Sequence, residues 1–283
     1  MFVLRFLQRK MHSTLRRKSV FALIGSPTGG EETFENYLMK QLDKKAKKGE
    51  EVYLSGDYKA ATDNLKSWTS NTVAETLSDL WKLPQDLRTL FRESLTEYWI
   101  KIDKYDIRLQ TVGQLMGSIT SFPVLCVVNA AISRFAYELT HGKTLLKNIP
   151  MCINGDDIAM KTDEETIRVW RSLVKQVGLT ESIGKSYYSK EFVQINSRNF
   201  LVNEGLLKPV PFIKMGLLYG LKRSGLDVGL IDLNQDEKSI GTRYRDLMGQ
   251  SPKDLLEKVH NLFMNRHIKL LKQYHMPWYI PEW

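Results

Sequence analysis

The stretch Ile153-Asn154-Gly155-Asp156-Asp157-Ile158 places two adjacent carboxylates on an Asn-Gly turn between two apolar runs. Asn-Gly in this setting is the strongest short signal of a β-hairpin. We expect the hairpin tip to hold both acidic side chains out of the core, in water, where carboxylate oxygens bind hard divalent cations. Taken alone, the stretch is more typical of an ordinary Asx-rich turn, so its meaning depends on other segments.

A third carboxylate, Asp57, follows the apolar run Val52-Tyr53-Leu54, where a strand ends and a helix is about to begin. A side chain at that place can point across a sheet towards the tip of a neighbouring hairpin. Phosphoryl transfer with two metal ions needs such an arrangement, because ions about 3.5–4 Å apart are bridged by carboxylates from different segments. Asp57, Asp156 and Asp157 would supply these ligands.

A glycine-containing loop, Gly113 to Pro123, leads into an apolar helix that is predicted to end near Leu139. Its glycines allow the backbone to approach a ligand closely, and its hydroxyls lie ahead of the helix N-terminus, where phosphate or ribose can be held. Taken alone, this loop is more typical of a Ser-capped helix start. Asp63, taken alone, is likewise more typical of a cap, for the helix that runs from Asn64 through Trp81.

In this order, the three elements resemble the palm of a viral RNA-dependent RNA polymerase of the ourmiavirus-like group, which is akin to the levivirus and narnavirus lineage. The resemblance covers about residues 50 to 202. The segments that resemble motifs A to E are, in order, Ser55 to Leu65, Met116 to Pro123 with Asn129, Asn154 to Asp157, Gly178 to Tyr187, and a short hairpin around Asn196-Ser197-Arg198.

The resemblance implies RNA-templated RNA synthesis with two Mg²⁺ or Mn²⁺ ions, in which an RNA 3′ hydroxyl attacks the α-phosphate of a ribonucleoside triphosphate. Asp57 and Asp156 would be the bridging metal ligands, with Asp157 contributing more weakly. Lys185 would be the general acid that protonates pyrophosphate, and Lys190 is its competitor.

Substrate binding is the second implication of the resemblance. The residues that it assigns to the substrate are Asp63, Gly117, Ser118, Ser121 and Asn129. Among them, Asp63, Ser121 and Asn129 would form the set that recognises the ribose.

The predicted elements give an α+β fold with the sheet order β-α-β-β-α-β, the ferredoxin-like order of polymerase palms. We expect residues 1–50 to form a basic flank with part of the fingers. Residues 51–202 would form the palm with inserted finger-side helices, and residues 203–283 a connection and the start of a helical thumb. The helix after Ser251-Pro252 would bury Leu255, Val259, Leu262, Phe263 and Ile268 on one face.

Composition agrees with an RNA-binding protein. The formal net charge is +9, and basic residues cluster at Arg16-Arg17-Lys18 and Lys44 to Lys48, which favours a polyanionic partner.

Cys126 and Cys152 lie in apolar segments and are expected to be buried thiols and not a disulfide. The longest apolar runs are too short to predict a membrane span. We expect the host cytoplasm as the location. The mitochondrion is the alternative, because the first thirty residues lack Asp and Glu.

Only about fifty residues precede Asp57, although polymerases of this group carry a basic fingers region there. We therefore expect a fragment, or one part of a divided polymerase whose fingers come from a second polypeptide.

Two other classes of protein stay open. A reverse transcriptase usually has an aromatic residue two places before its Asp pair, where this chain has Asn154. A non-catalytic RNA-binding subunit would bind RNA without metal-dependent incorporation.

Overall fold

The computed structural model describes residues 3–24, 34–42, 51–101, 103–203, 206–220 and 239–271. Contacts along the chain separate it into two compact units, Met1–Pro209 and Val210–Trp283. The division into flank, palm and thumb at residues 50 and 202 stays a prediction. Lys44 to Lys48, part of the predicted basic flank, lies outside the described residues.

The described helices and strands are as follows. The helices are α1 (Arg5–Arg16), α2 (Phe34–Leu42), α3 (Ala61–Asn64), α4 (Ser67–Leu80), α5 (Gln85–Thr96), α6 (Ser121–His141), α7 (Glu164–Gln176), α8 (Met215–Tyr219), α9 (Ser239–Gln250) and α10 (Leu256–Leu271). The strands are β1 (Val52–Gly56), β2 (Trp99–Lys101), β3 (Ile107–Leu109), β4 (Met151–Asn154), β5 (Asp157–Thr162), β6 (Tyr187–Ser189), β7 (Phe192–Ile195), β8 (Arg198–Asn203) and β9 (Leu206–Pro209). Short 3₁₀ helices lie at Ser19–Phe21, Leu146–Asn148 and Lys253–Leu255.

A four-stranded antiparallel sheet in the order β4-β5-β1-β6 forms the centre of the first unit. Along the chain its strands and covering helices follow as β1, α6, β4, β5, α7 and β6. This is the predicted palm order, and the α+β class is confirmed. All five residues of β1 are buried, because this strand pairs with β5 on one side and β6 on the other.

The two faces of this sheet carry different layers. One face packs on α6, α7 and α1 in the main hydrophobic core, to which α1 contributes Leu7, Met11 and Leu15. A second cluster joins the other face, through Tyr53 and Cys152, to α2 and to the three-stranded sheet β7-β8-β9. The sites predicted on β1 and on the β4–β5 turn therefore sit on a sheet that is covered on both faces.

Helix α6 is long and apolar enough, by length and composition, to cross a membrane. The lengths of the apolar runs in the sequence did not predict such a helix. Just over half of its most apolar window is buried inside the protein. Because Val124, Cys126 and Asn129 of this helix are all buried in the first unit, α6 has the burial of a core helix.

Two helix starts differ from the predicted ones. Thr162, with Glu165 three residues later, has the sequence pattern of a helix cap and predicts the start of α7. The observed cap is Asp163, which accepts a hydrogen bond from the backbone N–H of Thr166. Asp63 does not cap α4, because it lies inside the separate short helix α3 and the residue before α4 is Lys66. An acidic cap signal locates a helix start only to within a few residues.

The second unit is built around α8, α9 and α10, with Leu218, Ile240, Leu247, Val259 and Phe263 as its buried cluster. The prediction of which α10 residues are buried is partly wrong. Val259 and Phe263 are buried, whereas Leu262 and Ile268 are exposed. His267 occupies the third buried position on this face, and its ring is hydrogen-bonded to the carbonyl oxygen of Leu218.

Two glycines with positive φ allow a test of the packing between α7 and the loop after α3. Gly178, just after α7, has φ +90°, and a Cβ there would lie 2.2 Å from the carbonyl oxygen of Asn64. Gly184 has φ +82° but open space around its Cβ position. Gly184→Ala should therefore cost only the left-handed conformation, about 1–2 kcal/mol. Gly178→Ala adds a backbone clash and should cost more than about 3 kcal/mol of unfolding free energy in urea titrations. Equal losses would contradict this packing.

Candidate active site

A cavity of about 320 Å³ lies at the end of β1 that faces the β4–β5 turn. Asp57, Asp156, Asp157 and Lys185 all line it, and Gln194 of β7 lines it from the hairpin side. Asp57 comes directly after β1, and Asp157 is the first residue of the neighbouring strand β5. The structure therefore brings together the four residues that were predicted for catalysis and metal binding.

The β4–β5 turn carries Asp156. Asn154 pairs with Asp157 across the hairpin, so Gly155 and Asp156 form the two-residue loop. Gly155 has φ +70°, which suits the first position of a type II′ turn, and a Cβ there would meet the ring of Phe122 at 2.9 Å. The prediction that both carboxylates extend into water is wrong. Asp156 and Asp157 are each half-buried, because the walls of the cavity enclose them.

Three buried side chains fix this turn to α6 and to the segment after β1. The amide of Asn129 donates to the carbonyl oxygens of Gly155 and Asp156 at 3.1 and 3.3 Å. The hydroxyl of Tyr58 donates to the Asn129 Oδ1 at 3.0 Å, and the backbone N–H of Gly155 donates to the Cys126 Sγ at 3.2 Å. Tyr58 directly follows Asp57, so the network links the two carboxylate-bearing segments through Asn129.

The β7–β8 hairpin holds the turn from the other side. Its Asn196-Ser197 pair has positive φ at both residues, as a type I′ turn requires. The backbone N–H of Asn196 donates to the Asp157 Oδ2 at 3.2 Å, and its side-chain oxygen accepts from the amide of Asn154 at 2.9 Å. The orientation of the Asp157 carboxylate is therefore fixed by the hairpin expected in the place of motif E.

The backbone at Asp57 is held separately, by Ser186. The Ser186 hydroxyl accepts from the N–H of Asp57 at 3.0 Å and donates to the carbonyl oxygen of Asp57 at 2.6 Å. Both backbone groups of Asp57 are therefore bonded to one side chain, and its carbonyl oxygen also accepts from the backbone N–H of Ser182 at 2.9 Å. The carboxylate of Asp57 lines the cavity.

Burial and mutual repulsion make the carboxylates harder to ionise. Burial raises the pKa of Asp156, and the charge of Asp57 adds to this effect. Burial and the charges of Asp156 and Asp57 raise the pKa of Asp157 to about 6. The thiol of Cys126, whose pKa is raised by burial to about 12, and Tyr58, whose pKa burial raises well above 10, stay neutral at pH 7.

Lys185 supplies the positive charge at the cavity. Its ammonium lies 3.1 Å from the Asp57 Oδ2, and the hydrogen bond to this carboxylate raises the pKa of Lys185. The lysine side chain is largely exposed, so the ion pair contributes little to stability. Lys190 is exposed in the turn between β6 and β7 and is not part of the cavity wall.

The cavity has the oxygen donors that a hard divalent cation requires, because three carboxylates that repel one another meet there. These aspartates do not form a closed ligand set, since no group of three or more His, Cys, Asp or Glu in the described ranges is close enough to hold a metal ion. One oxygen of Asp57 is instead bonded to Lys185. The residues fit a divalent cation in chemistry, and the Lys185–Asp57 contact occupies part of its ligand set.

The five residues predicted to bind substrate do not line this cavity. Asp63 and Gly117 are exposed, whereas Ser118, Ser121 and Asn129 are buried. Ser121 accepts from the Gln114 amide at 2.6 Å, and the Ser118 hydroxyl lies 3.1 Å from that of Thr120. The hydroxyls of this loop are bonded within the protein, and the roles predicted for these residues stay predictions.

Sequence reasoning did not assign a role to Tyr58, Cys126, Ser186 or Gln194. In the sequence, Tyr58 and Cys126 have the pattern of core residues, because an aromatic ring and a thiol between apolar residues give no local signal of a polar contact. The hairpin at Asn196-Ser197 was predicted, and Asn at a tight hairpin turn is typical of positive φ, but its role at the site was not predicted. Its contact with Asp157 joins residues 39 apart and has no sequence signature.

The raised pKa of Asp157 leads to a prediction about the protein without divalent cations. Its folded-state pKa of about 6 lies above the ordinary value, so folding disfavours the ionised form and stability falls as the pH rises from about 4 to 7. In EDTA at pH 7, Asp157→Asn should therefore stabilise the protein. The expected gain at pH 7 is about 1–2 kcal/mol, because water in the cavity screens the repulsion, and it should fall to about half at pH 5 and towards zero below pH 4.

Thermal melts of Asp157→Asn at both pH values measure this effect. Glu191→Gln, an exposed carboxylate on the β6–β7 turn, is the matched control and should change stability little at either pH. A loss of stability for Asp157→Asn at pH 7 would contradict the electrostatic account.

The Asn129 network makes a second prediction, about coupling. Asn129→Ala leaves two carbonyl oxygens and the Tyr58 hydroxyl without this partner, so it should cost about 2–4 kcal/mol of unfolding free energy. Tyr58→Phe alone should cost about 1 kcal/mol, and close to nothing once Asn129 is alanine. A double-mutant cycle by urea unfolding measures the coupling. Additive losses would show that the two side chains act independently.

Known polymerases resemble this chain in sequence and in fold. The RNA-dependent RNA polymerase of Ourmia melon virus (isolate Melon/Iran/VE9) is 33% identical over 238 residues, which cover 77% of this chain and 28% of that protein. The chain thus spans less than a third of this relative. No protein-family model matches the sequence.

Two crystal structures share the fold. The RNA-dependent RNA polymerase of a human picorbirnavirus matches with a TM-score of 0.66 and 17% identity, over 92% of this chain and 48% of that one. Its insertion loop deletion mutant matches with a TM-score of 0.68 and 17% identity, over 95% and 52%. The chain resembles ourmiavirus-like RNA-dependent RNA polymerases in sequence and has the fold of a viral RNA-dependent RNA polymerase, as its motifs predict.

Proposed function

We propose that this chain carries the catalytic palm of a viral polymerase and takes part in RNA-templated RNA synthesis. The observation that carries the proposal is the convergence of Asp57, Asp156, Asp157 and Lys185 on one cavity at the end of the central sheet. The sequence similarity to the Ourmia melon virus polymerase is evidence for the same activity, and the matched part is 28% of that protein. The activity is therefore proposed for the protein to which this chain contributes the palm.

Asp57, Asp156 and Asp157 are the residues that would hold two Mg²⁺ or Mn²⁺ ions, with Asp57 and Asp156 as the bridging ligands. When bound, such ions neutralise charge on the phosphates and make the 3′ hydroxyl of RNA a better nucleophile. The chain supplies the oxygen donors and holds them in place. Asn129 and Cys126 fix the backbone of the turn, Asn196 orients Asp157, and Ser186 fixes the backbone of Asp57.

Lys185 is the proposed general acid. Its ammonium already lies at the cavity, 3.1 Å from Asp57, and the hydrogen bond to that carboxylate raises the pKa of Lys185. An ammonium near the leaving pyrophosphate neutralises negative charge and can donate a proton. It must release Asp57 before that carboxylate can use both oxygens for metal ions. Lys190 remains the less favoured alternative, because it lies outside the cavity wall.

The triphosphate and ribose sites are proposed from the motif resemblance alone. Asp63, Gly117, Ser118, Ser121 and Asn129 are assigned to them, with Asp63, Ser121 and Asn129 on the ribose. For Ser121, contact with a nucleotide requires the loop before α6 to rearrange, since its hydroxyl is buried and bonded to Gln114. For Asn129, the contacts with the β4–β5 turn support a role in positioning Asp156.

The proposed partners are template and product RNA, ribonucleoside triphosphates and the fingers of the polymerase, in the same or a second polypeptide. The proposed location is the host cytoplasm. These assignments follow from the similarity to the RNA-dependent RNA polymerase of Ourmia melon virus.

Substitution of the bridging ligands tests the proposal. Asp57→Asn and Asp156→Asn should each lower incorporation of ribonucleotides into a primed RNA template by at least about a hundredfold. The reason is that a metal ligand stabilises the transition state, and this stabilisation is lost with the carboxylate. RNA binding should change little, since it comes mainly from Lys and Arg contacts to phosphates. Incorporation should be measured with Mg²⁺ and Mn²⁺, for this chain alone and together with the sequence that supplies the fingers.

Asp246→Asn, an exposed carboxylate on α9, is the matched control and should keep full activity. A residual activity of Asp156→Asn within about tenfold of the unaltered protein would remove it from the metal site, because tenfold is only about 1.4 kcal/mol of barrier. Preference for deoxyribonucleotides would select a reverse transcriptase. RNA binding without incorporation in either assay would select a non-catalytic RNA-binding subunit.

A further inference from the structure

The outer face of α1 and the cavity beside its C-terminal end form a basic surface. Residues 3–24 contain no Asp or Glu, and their exposed cations are Arg5, Arg9, Lys10, Arg16, Arg17 and Lys18. At 1.5 Å per residue, the twelve residues of α1 span about 18 Å, which is long enough for several phosphates of one strand. A surface of one charge sign at this density favours a polyanion.

A second cavity continues this surface. It has a volume of about 490 Å³, and its charged lining comes from Arg17, Lys18, Arg134 and Lys147. Glu138 bonds Arg134 at 2.9 Å and offsets its charge. Val20, Leu145 and Leu146 supply apolar walls. The lining of the cavity therefore combines cations with apolar side chains, which suits a strand that has both phosphates and bases.

Burial of α1 distinguishes between two kinds of polyanionic partner. A basic amphipathic helix binds an anionic membrane by inserting its apolar face. Here that face, formed by Leu4, Leu7, Met11 and Leu15, is buried in the main core. Phe6 is an exposed apolar residue, and it lies at the end of α1 away from the cavity. Docked as it is, α1 offers a partner mainly cations.

The basic surface is also joined physically to the catalytic turn. The ring of His12 on α1 stacks on the ring of Phe122 at 5.8 Å between centroids, and Phe122 packs against Gly155. The surface and the three carboxylates thus belong to one compact unit. A strand held on α1 would be held at a fixed place relative to the turn.

From these observations we infer that the outer face of α1, with the Arg17–Lys147 cavity, is a docking surface for the phosphate backbone of single-stranded RNA. This rests on the proposed function, because it takes RNA as the polyanion. The surface is separate from the cavity that holds Asp57, Asp156 and Asp157. It would hold a strand that extends beyond the site of synthesis.

The test is the affinity for a 20-nucleotide single-stranded RNA, followed by fluorescence anisotropy in EDTA without nucleotides at several salt concentrations. The triple variant Arg9→Gln, Arg17→Gln, Lys18→Gln should bind at least tenfold more weakly at low salt. Its slope of log affinity against log salt should fall by about 2, since each phosphate contact on a single strand contributes about 0.7.

The matched control removes three exposed cations around α7, in Lys66→Gln, Arg168→Gln, Lys175→Gln. It should bind within about twofold of the unaltered chain. Equal weakening by both triple variants would overturn the proposal, because RNA affinity would then follow net charge and not this surface. The charge-preserving variant Arg9→Lys, Arg17→Lys should bind nearly as well as the unaltered chain. A loss there, with an unchanged melting temperature, would contradict a phosphate contact.

Two further measurements separate this inference from its alternatives. If the α1 variant keeps its RNA affinity but loses binding to phosphatidylserine vesicles, the surface is a membrane contact and the proposal fails. If polymerase activity is absent while the α1 variant alone loses RNA binding, the docking surface stands and the proposed catalysis fails.

Discussion

The side-chain amide of Asn129 binds the carbonyl oxygens of Gly155 and Asp156, and the geometry of the candidate site depends on this contact. Burial, and after it the mutual repulsion of three carboxylates that face one cavity, raises the pKa values of Asp156 and Asp157. Something must hold them together, and a cation built into the protein would compete with the metal for its ligands. The groups that fix the turn, Asn129, Cys126 and Tyr58, are all neutral at pH 7. They position the charges without cancelling them.

This network also explains why α6 has its composition. A helix that is central to the core must be apolar nearly all around, and α6 therefore resembles a membrane span by length and hydropathy. Its few buried polar positions, Asn129 and Ser133 among them, are those that bond the turn or a neighbour, as when the Trp170 indole N–H donates to Ser133. Burial strengthens these bonds, and it also makes their loss costly. Because Asn129 is buried, its side chain bonds groups within the protein, although the motif resemblance assigns it to the ribose.

The sequence predicts those parts of the fold that local chemistry encodes. The β4–β5 hairpin, the palm order and the ends of β1 and α7 follow from turn residues, apolar periodicity and caps. Two positions are wrong by one residue, because the loop is Gly155-Asp156 and not Asn154-Gly155, and the cap of α7 is Asp163 and not Thr162. Exposure was predicted less well. Asp156 and Asp157 are half-buried, and Leu262 of α10 is exposed, because tertiary neighbours decide which face is covered. Tyr58 could not be assigned at all, since its partner Asn129 is 71 residues away.

Chemistry and affinity for RNA make opposite demands on charge, and the first unit satisfies them in different places. A cluster of carboxylates attracts divalent cations but repels phosphates, so the residues that we propose for the chemistry are poorly suited to hold an RNA strand. Lys185 reduces this repulsion only locally, through one exposed ion pair with Asp57. Affinity must therefore come from cations farther from the carboxylates. The docking surface that we propose on α1 would meet this need, because the apolar face of this acid-free helix is buried in the main core and its His12 ring stacks on Phe122 beside the β4–β5 turn.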